Sequence, residues 1–236
     1  MKISQHIFKQ LLKGALSNHQ VYSSMYVHEN PPRLIFNDCL FAEDIHLNEE
    51  IVYPYQLDFF GCRFEKNLRI EYGTFPEISF SGTEFSSGSF TISNGHYAGI
   101  NFHSGCKVEN YFSIHSAEIE KLYISNSTFT NSVSLFDGKY KKVEISGSVS
   151  MAHLFFRKGI YELVRINGGK MEGLYFSEGE FKEVLVYGLV EIATVHISSG
   201  ILRQIYLDAV NLRQLTVKLY EKVKPLQIGH LELSQM

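Results

Sequence analysis

Cys39, Cys62 and Cys106 share one sequence phase. Each precedes a large apolar residue by two: Phe41, Phe64 and Val108. Thiols in one phase can begin a metal site or serve as small hydrophobes. A zinc site needs three or four ligands converging on one point. Cys39 and Cys62 fall one repeat apart and Cys106 two further on, so the buried reduced thiol is the expected state. Ten histidines are present without HExxH or another paired metal spacing. His46 and His196 share a phase but lie far apart along the chain, and His103 and His115 follow different segments. Neither GxSxG nor a phosphate-cradling glycine loop occurs. No cofactor is expected from these residues.

A glycosidase or lyase needs two or three carboxylates, or a carboxylate with Lys or Arg, within about 5–10 Å. Glu144 and Arg165 share a phase and are expected on neighbouring repeats, where a lateral salt bridge is the simpler use. Asp58 has no acidic neighbour in its phase. Glu43, Asp44, Glu49 and Glu50 read as a solvated turn.

These residues are positioned by one short pattern recurring from Leu34 to Val217. It runs apolar-x-apolar, a small residue, a spacer and another large apolar residue. Leu68/Ile70 leads to Gly73/Phe75, Leu154/Phe156 to Gly159/Tyr161, and Leu174/Phe176 to Gly179/Phe181. The phase marker advances by 10 to 12 residues (Phe36, Leu47, Phe59, Ile70, Phe80 and onward). Two such units close one coil of 20–23 residues, and a fixed period with alternating inward residues is the signature of a solenoid. Nine coils are expected, stacked at about 4.8 Å into a rod roughly 40 Å long. Strand-to-strand crossovers of this kind are right-handed. The predicted fold is therefore all-β: a right-handed parallel β-helix over residues 34–236, behind an N-terminal helical cap and lead-in over 1–33. Ile3, Ile7, Phe8, Leu11 and Leu12 give the cap its helical spacing. The recurring Gly is expected inside, where only a small side chain fits, because Thr83, Cys106, Ala117 and Ser127 occupy the same phase.

The coil length, the five-residue sub-spacing (Ile70, Phe75, Phe80, Phe85) and the small-x-large inward pairs resemble the pentapeptide-repeat proteins. That resemblance implies a quadrilateral right-handed β-helix. For the family's DNA mimics it also implies an acidic surface. The chain has 236 residues and a formal net charge of −3, from 22 basic and 25 acidic residues. That charge sets up no strong field for gripping or mimicking nucleic acid.

The outward middle positions form two columns. One reads His46, Arg69, Thr91, Ser113, Ser134, Phe155, Tyr175, His196, Thr216; the other ends Tyr123, Glu144, Arg165, Leu185, Tyr206. Both turn aromatic or apolar toward the C-terminal half. A solvated face does not need such residues, so Tyr123, Phe155, Tyr175, Leu185 and Tyr206 are the interaction candidates. A protein partner or second copy, a covering loop and a sugar ring are the three possible contacts. Near the C-terminus Leu226, Ile228, Leu231 and Leu233 continue the strand pattern, which suggests pairing with a second copy as a homodimer. The expected function is a non-catalytic structural or protein-interaction module, self-associating through its C-terminal coil. The alternative is a carbohydrate-binding or carbohydrate-cleaving β-helix. The N-terminal segment lacks a signal-peptide core and no stretch of 18 apolar residues occurs, which points to a cytoplasmic, membrane-free chain.

Overall fold

The computed structural model describes residues 2–12, 25–29, 32–208, 210–217 and 227–233. It is a parallel β-solenoid with one short helix, Gln5–Leu12. Each coil has four sides. The first face stacks residues 34–36, 57–59, 78–80, 100–102, 122–124 and onward to 205–207. The second face carries Phe41, Phe64, Phe85, Val108, Phe129, Met151, Met171 and Ile192 in register. The third carries Leu47, Ile70, Ile92, Ile114, Leu135, Phe156, Phe176 and Ile197. The fourth carries Phe75, Tyr97, Ile119, Tyr140, Tyr161, Phe181 and Leu202.

The rod has about eight turns rather than the nine expected. Nine strands stack on the first face from Leu34 to Leu207, and nine strands bound eight intervals. Beyond them the coil formed by Val210–Val217 and Gln227–Leu233 crosses residues outside the described ones. No helix among the described residues is long and apolar enough to cross a membrane.

In-register stacking puts like over like, so the core is a set of ring ladders. Phe36, Phe59, Phe80 and Phe102 stack at 5.0, 5.1 and 5.1 Å. Phe41, Phe64 and Phe85 stack at 4.3 and 4.8 Å. Tyr140, Tyr161 and Phe181 stack at 4.8 Å each. The ladders shift along the rod. Phenylalanines fill the first and second faces in the N-terminal half, where the third face holds Ile70 and Ile92 beside Phe90 and Phe112. Past Ile124 the first face is aliphatic and rings enter at Phe156 and Phe176 on the third face, while the fourth face carries rings in both halves, Phe75 and Tyr97, then Tyr140 to Phe181. A coil of fixed circumference encloses a fixed volume, and close packing requires the summed side chains to match it.

Corner geometry explains the small residues. The left-handed backbone falls on the residue before the small one: Tyr72, Asn94, Ser116, Asp137, Lys158 and Glu178 all have φ between 47° and 64°. Gly95, Gly138, Gly159 and Gly179 do not share it. They are glycine for lack of space. A Cβ on Gly159 would lie 2.9 Å from the Gly138 carbonyl oxygen and 2.9 Å from the Tyr161 ring. Where the coil has Ala117 instead, the following inward residue is Ile119. Gly73, Gly169 and Gly200 add a positive φ to the same crowding.

The N-terminal end is sealed in two ways. The helix inserts Phe8, fully buried, against Phe36, Phe41 and Phe59 at 5.5–6.1 Å. Gln5 fixes its approach: Oε1 accepts from the His46 N–H at 2.8 Å and Nε2 donates to the His46 carbonyl at 2.7 Å. The lead-in also contains a strand the repeat does not announce, Met25–Glu29. It pairs antiparallel with Pro32–Asn37 and covers the first edge of the first face.

Gly159→Ala is expected to cost about 1–3 kcal/mol through overpacking. Combining it with Tyr161→Ile, the pair already found at Ala117/Ile119, should recover part of that loss in a urea-denaturation double-mutant cycle. Phe8→Ala should cost about 3–5 kcal/mol in the same assay.

Candidate functional site

The C-terminal half of the third face brings together the strongest of the expected residues. Strand alternation turns Leu154 and Phe156 inward and Phe155 outward, and the next coil repeats this with Leu174, Tyr175 and Phe176. Phe155 and Tyr175 stack at 4.6 Å with 23° between ring planes. His196, one coil on, continues the ladder at 5.9 Å from Tyr175. His153 lies beside both rings, at 5.8 and 5.7 Å, and the Arg157 guanidinium sits 4.5 Å from the Phe155 centroid. All three ladder residues are half-buried. Upstream the column is polar, His46 and Arg69 and then small residues, with the Ser113 hydroxyl 3.4 Å from Thr91.

The rings belong to successive coils, so their stacking direction is the rod axis. Their faces point along the rod at one another, at Arg157 and at His196. Solvent meets ring edges. A sugar platform presents an open ring face, which this arrangement lacks; an apolar strip flanked by His153, Arg157 and His196 suits a protein side chain.

The first face holds the second set. Tyr123 accepts a hydrogen bond from Ser146 at 3.2 Å and lies 4.9 Å from the Lys121 ammonium. Leu185 is in register between Arg165 and Tyr206, partly exposed, and the Tyr206 hydroxyl accepts from Gln204 at 2.6 Å. The expected Glu144–Arg165 bridge does not form. Glu144 pairs with Lys142 on its own strand at 2.6 Å, and Arg165 Nε is buried without a hydrogen bond. Leu226 lies outside the described residues. The backbone of Ile228, Leu231 and Leu233 is in register with Leu202, Ile205 and Leu207 of the preceding coil.

Asp58 is a residue whose burial its column does not announce. It occupies an outward position yet is 1 % exposed, holding Arg33 Nε at 2.7 Å and Gln56 Nε2 at 3.0 Å. Gln56 also reaches Glu77 at 3.1 Å. One coil further, Ser79 meets His103 Nε2 at 3.1 Å. A buried carboxylate with an arginine partner is a structural clamp.

The thiols behave as small core residues. Cys39, Cys62 and Cys106 are free and buried. Contact with the Cys39 thiol, reinforced by burial, raises the Cys62 pKa; the same contact lowers that of Cys39 against the effect of burial, and burial raises that of Cys106. No group of three or more His, Cys, Asp or Glu is placed to hold a metal ion among the described residues.

Sequence reasoning also left out the tyrosine hydroxyls of the fourth face. Tyr140 donates to the Ile114 carbonyl at 3.2 Å and Tyr161 to the Leu135 carbonyl at 2.7 Å. Tyr97 reaches the Tyr72 carbonyl at 3.2 Å. Each hydroxyl bonds a third-face or corner carbonyl of an earlier coil. A Tyr where Phe would fill the same space is the readable signal.

Burial keeps these three phenols protonated far above the ordinary tyrosine value of about 10. The unfolded chain releases their protons above about pH 10 while the folded chain retains them. Their contribution to stability is therefore complete below that pH and falls as pH rises, by about 4 kcal/mol per unit once all three unfolded phenols ionise. Denaturation followed from pH 9 to 12 should show that slope, reduced by about one third in Tyr161→Phe.

No known family, curated protein or solved structure matches this chain.

Proposed function

We propose that the chain is a non-catalytic structural or protein-interaction module. The observation that carries this reading is the outward ladder Phe155–Tyr175–His196, standing on a column that is otherwise polar. An aromatic strip flanked by an arginine and two histidines is the composition of a protein contact rather than of a solvated face. The acidic residues support the non-catalytic part. Those on the fourth face meet a cation on the next coil: Glu118 with Lys139 at 2.6 Å, Glu120 with Lys141 at 3.1 Å, Glu162 with Lys182 at 2.8 Å, Glu180 with Arg203 at 2.7 Å. Carboxylates spent in this way do not converge on a scissile bond.

Self-association is the form of contact favoured by the last coil. Gln227–Leu233 bonds the preceding coil along one edge, and among the described residues nothing pairs with its other edge. A second copy related by a two-fold axis would meet that edge with its own last strand running antiparallel, closing both edges in a dimer. Carbohydrate binding, the alternative, draws on the same aromatics but finds only their edges.

Light scattering over a concentration series separates these readings. The full chain is expected to dimerise, and a chain ending at Val217 to stay monomeric. Phe155→Ser/Tyr175→Ser should keep its far-ultraviolet circular dichroism and lose any contact made by the ladder. A monomer at every concentration, together with glycan-array binding abolished by the ladder variant, would overturn the proposal in favour of carbohydrate.

A further inference from the structure

A groove runs along the corner between the third and fourth faces. Its floor is the small column Gly73, Gly95, Ala117, Gly138, Gly159, Gly179 and Gly200. Two cavities of about 480 and 910 Å³ lie over this floor and share Ser116 and Glu118; a third of about 530 Å³ adjoins them on the fourth face, sharing Glu118, Lys139 and Ile160 with the larger one. Six coil spacings of about 4.8 Å make the groove about 29 Å long. It exists because of the core: the rings of Tyr97, Tyr140, Tyr161 and Phe181 occupy the space where a Cβ would go. The inside is overfilled at this corner, so the outside is left bare.

Two properties single this groove out. The described residues include seven exposed large hydrophobics, and five of them line it: Ile51, Val52 and Tyr72 at the N-terminal mouth, Ile160 and Ile201 toward the other end. Exposed apolar residues gathered on one feature mark a contact site. The second property is charge. Seven carboxylates line the groove against four lysines. Each lysine already faces a glutamate of that set, at 2.6–3.8 Å, and Arg203 takes Glu180 at 2.7 Å, which leaves Glu50 and Asp137 as the surplus. Asp137, on the bank opposite Ile160, has no ion pair among the described residues.

Floor backbone groups are spent on the ladder. The carbonyls of Gly95, Ala117, Gly138 and Gly159 accept from Glu118, Lys139, Ile160 and Glu180 at 2.8–2.9 Å. A ligand here is therefore read through side chains, not by strand addition.

We infer that this groove binds an extended peptide segment carrying alternating apolar and basic side chains. The apolar ones seat against Ile160, Ile201 and Tyr72, and the basic ones against the surplus carboxylates, Asp137 first. At about 3.3 Å per residue, nine or ten residues span it. This deepens the reading of the chain as an interaction module but uses a surface separate from the aromatic ladder, so the two fail independently.

The test uses the full chain and a fluorescently labelled ten-residue peptide of alternating leucine and lysine, followed by anisotropy. A leucine–glutamate peptide is the charge control. The leucine–lysine peptide should bind, more weakly as salt rises, and the control should not. Ile160→Asn/Ile201→Asn should weaken binding at least tenfold. Asp137→Lys should weaken it several-fold and keep the fold, because Lys158 already holds the same corner conformation one coil on (φ 47° against 51°). Leu189→Asn, at an exposed apolar site outside the groove, and Phe155→Ser/Tyr175→Ser should bind as the parent does. No binding by the parent, equal binding of both peptides, or full binding by the folded groove variants overturns the inference. Loss confined to the ladder variant would move the site to the third face.

Discussion

Everything in this rod follows from parallel, in-register stacking of coils too small to hold anything but their own side chains. Each inward residue has a counterpart directly above and below it, at about one strand spacing. Flat rings satisfy that geometry best, because a ring stacks on a ring without changing the cross-section. Among the described residues sixty hydrophobic side chains are buried, nearly all of them inside the coils, and the volume of each coil has to be conserved. A ring gained on one face is therefore offset by an aliphatic residue on another. The replacement of the first-face phenylalanines by aliphatic residues where Phe156 and Phe176 enter the third face is this conservation at work.

The corners carry the cost. Closing a coil on four sides uses a left-handed residue at alternate corners, after the first and third faces, and nine non-glycine residues adopt it among the described residues. Asn, Asp and Ser tolerate that conformation through local hydrogen bonds; Tyr72, Lys158 and Glu178 do not have that help. Their strain is held by the ladder on both sides. The Lys158 N–H donates to Ser177 and the Glu178 N–H to Ser199, so each corner is bonded to the coil that follows. The adjacent glycine relieves crowding, not torsion. That distinction separates positions where alanine is refused by a ring from positions where it is refused by φ.

Much of this was legible in the chain. The φ-x-φ pairs fix the first and third faces residue by residue, because inward positions are few and the period is short. The small inward phase was legible too, since Thr83, Cys106 and Ala117 stand where a φ-driven glycine would not be replaced. The Phe155–Tyr175 contact followed from the column alone. Other features depend on contacts that a column does not encode. Asp58 has an outward phase and is buried, because Arg33 and Gln56 close over it. Glu144 prefers Lys142, two residues away on its own strand, to the arginine above it. Met25–Glu29 runs antiparallel outside the repeat altogether. Ring orientation was also beyond reach: the sequence places two aromatics side by side, and only the stacking direction shows that their faces are already occupied.

Register also governs the surface. Residues in one outward column are as close as those in the core, so like charges would repel at every coil and opposite charges attract. The fourth face obeys this with Glu118 under Lys139, Glu120 under Lys141 and Glu162 under Lys182, and Arg203, which stands over Lys182, reaches across to Glu180. The second face does so with Lys170 and Glu191 at 3.3 Å. Hydrogen bonds from Lys139 and Lys182 hold Glu118 and Glu162 below the ordinary carboxylate range. Exposed pairs of this kind add little stability, but they leave the rod without a long-range field. A duplex mimic needs the reverse, an uninterrupted acidic column, and would have to tolerate repulsion at every coil to obtain it. Recognition on this rod therefore acts at short range, through the places where the alternation breaks: an aromatic strip on one face, and a bare apolar corner with a small acidic surplus on another.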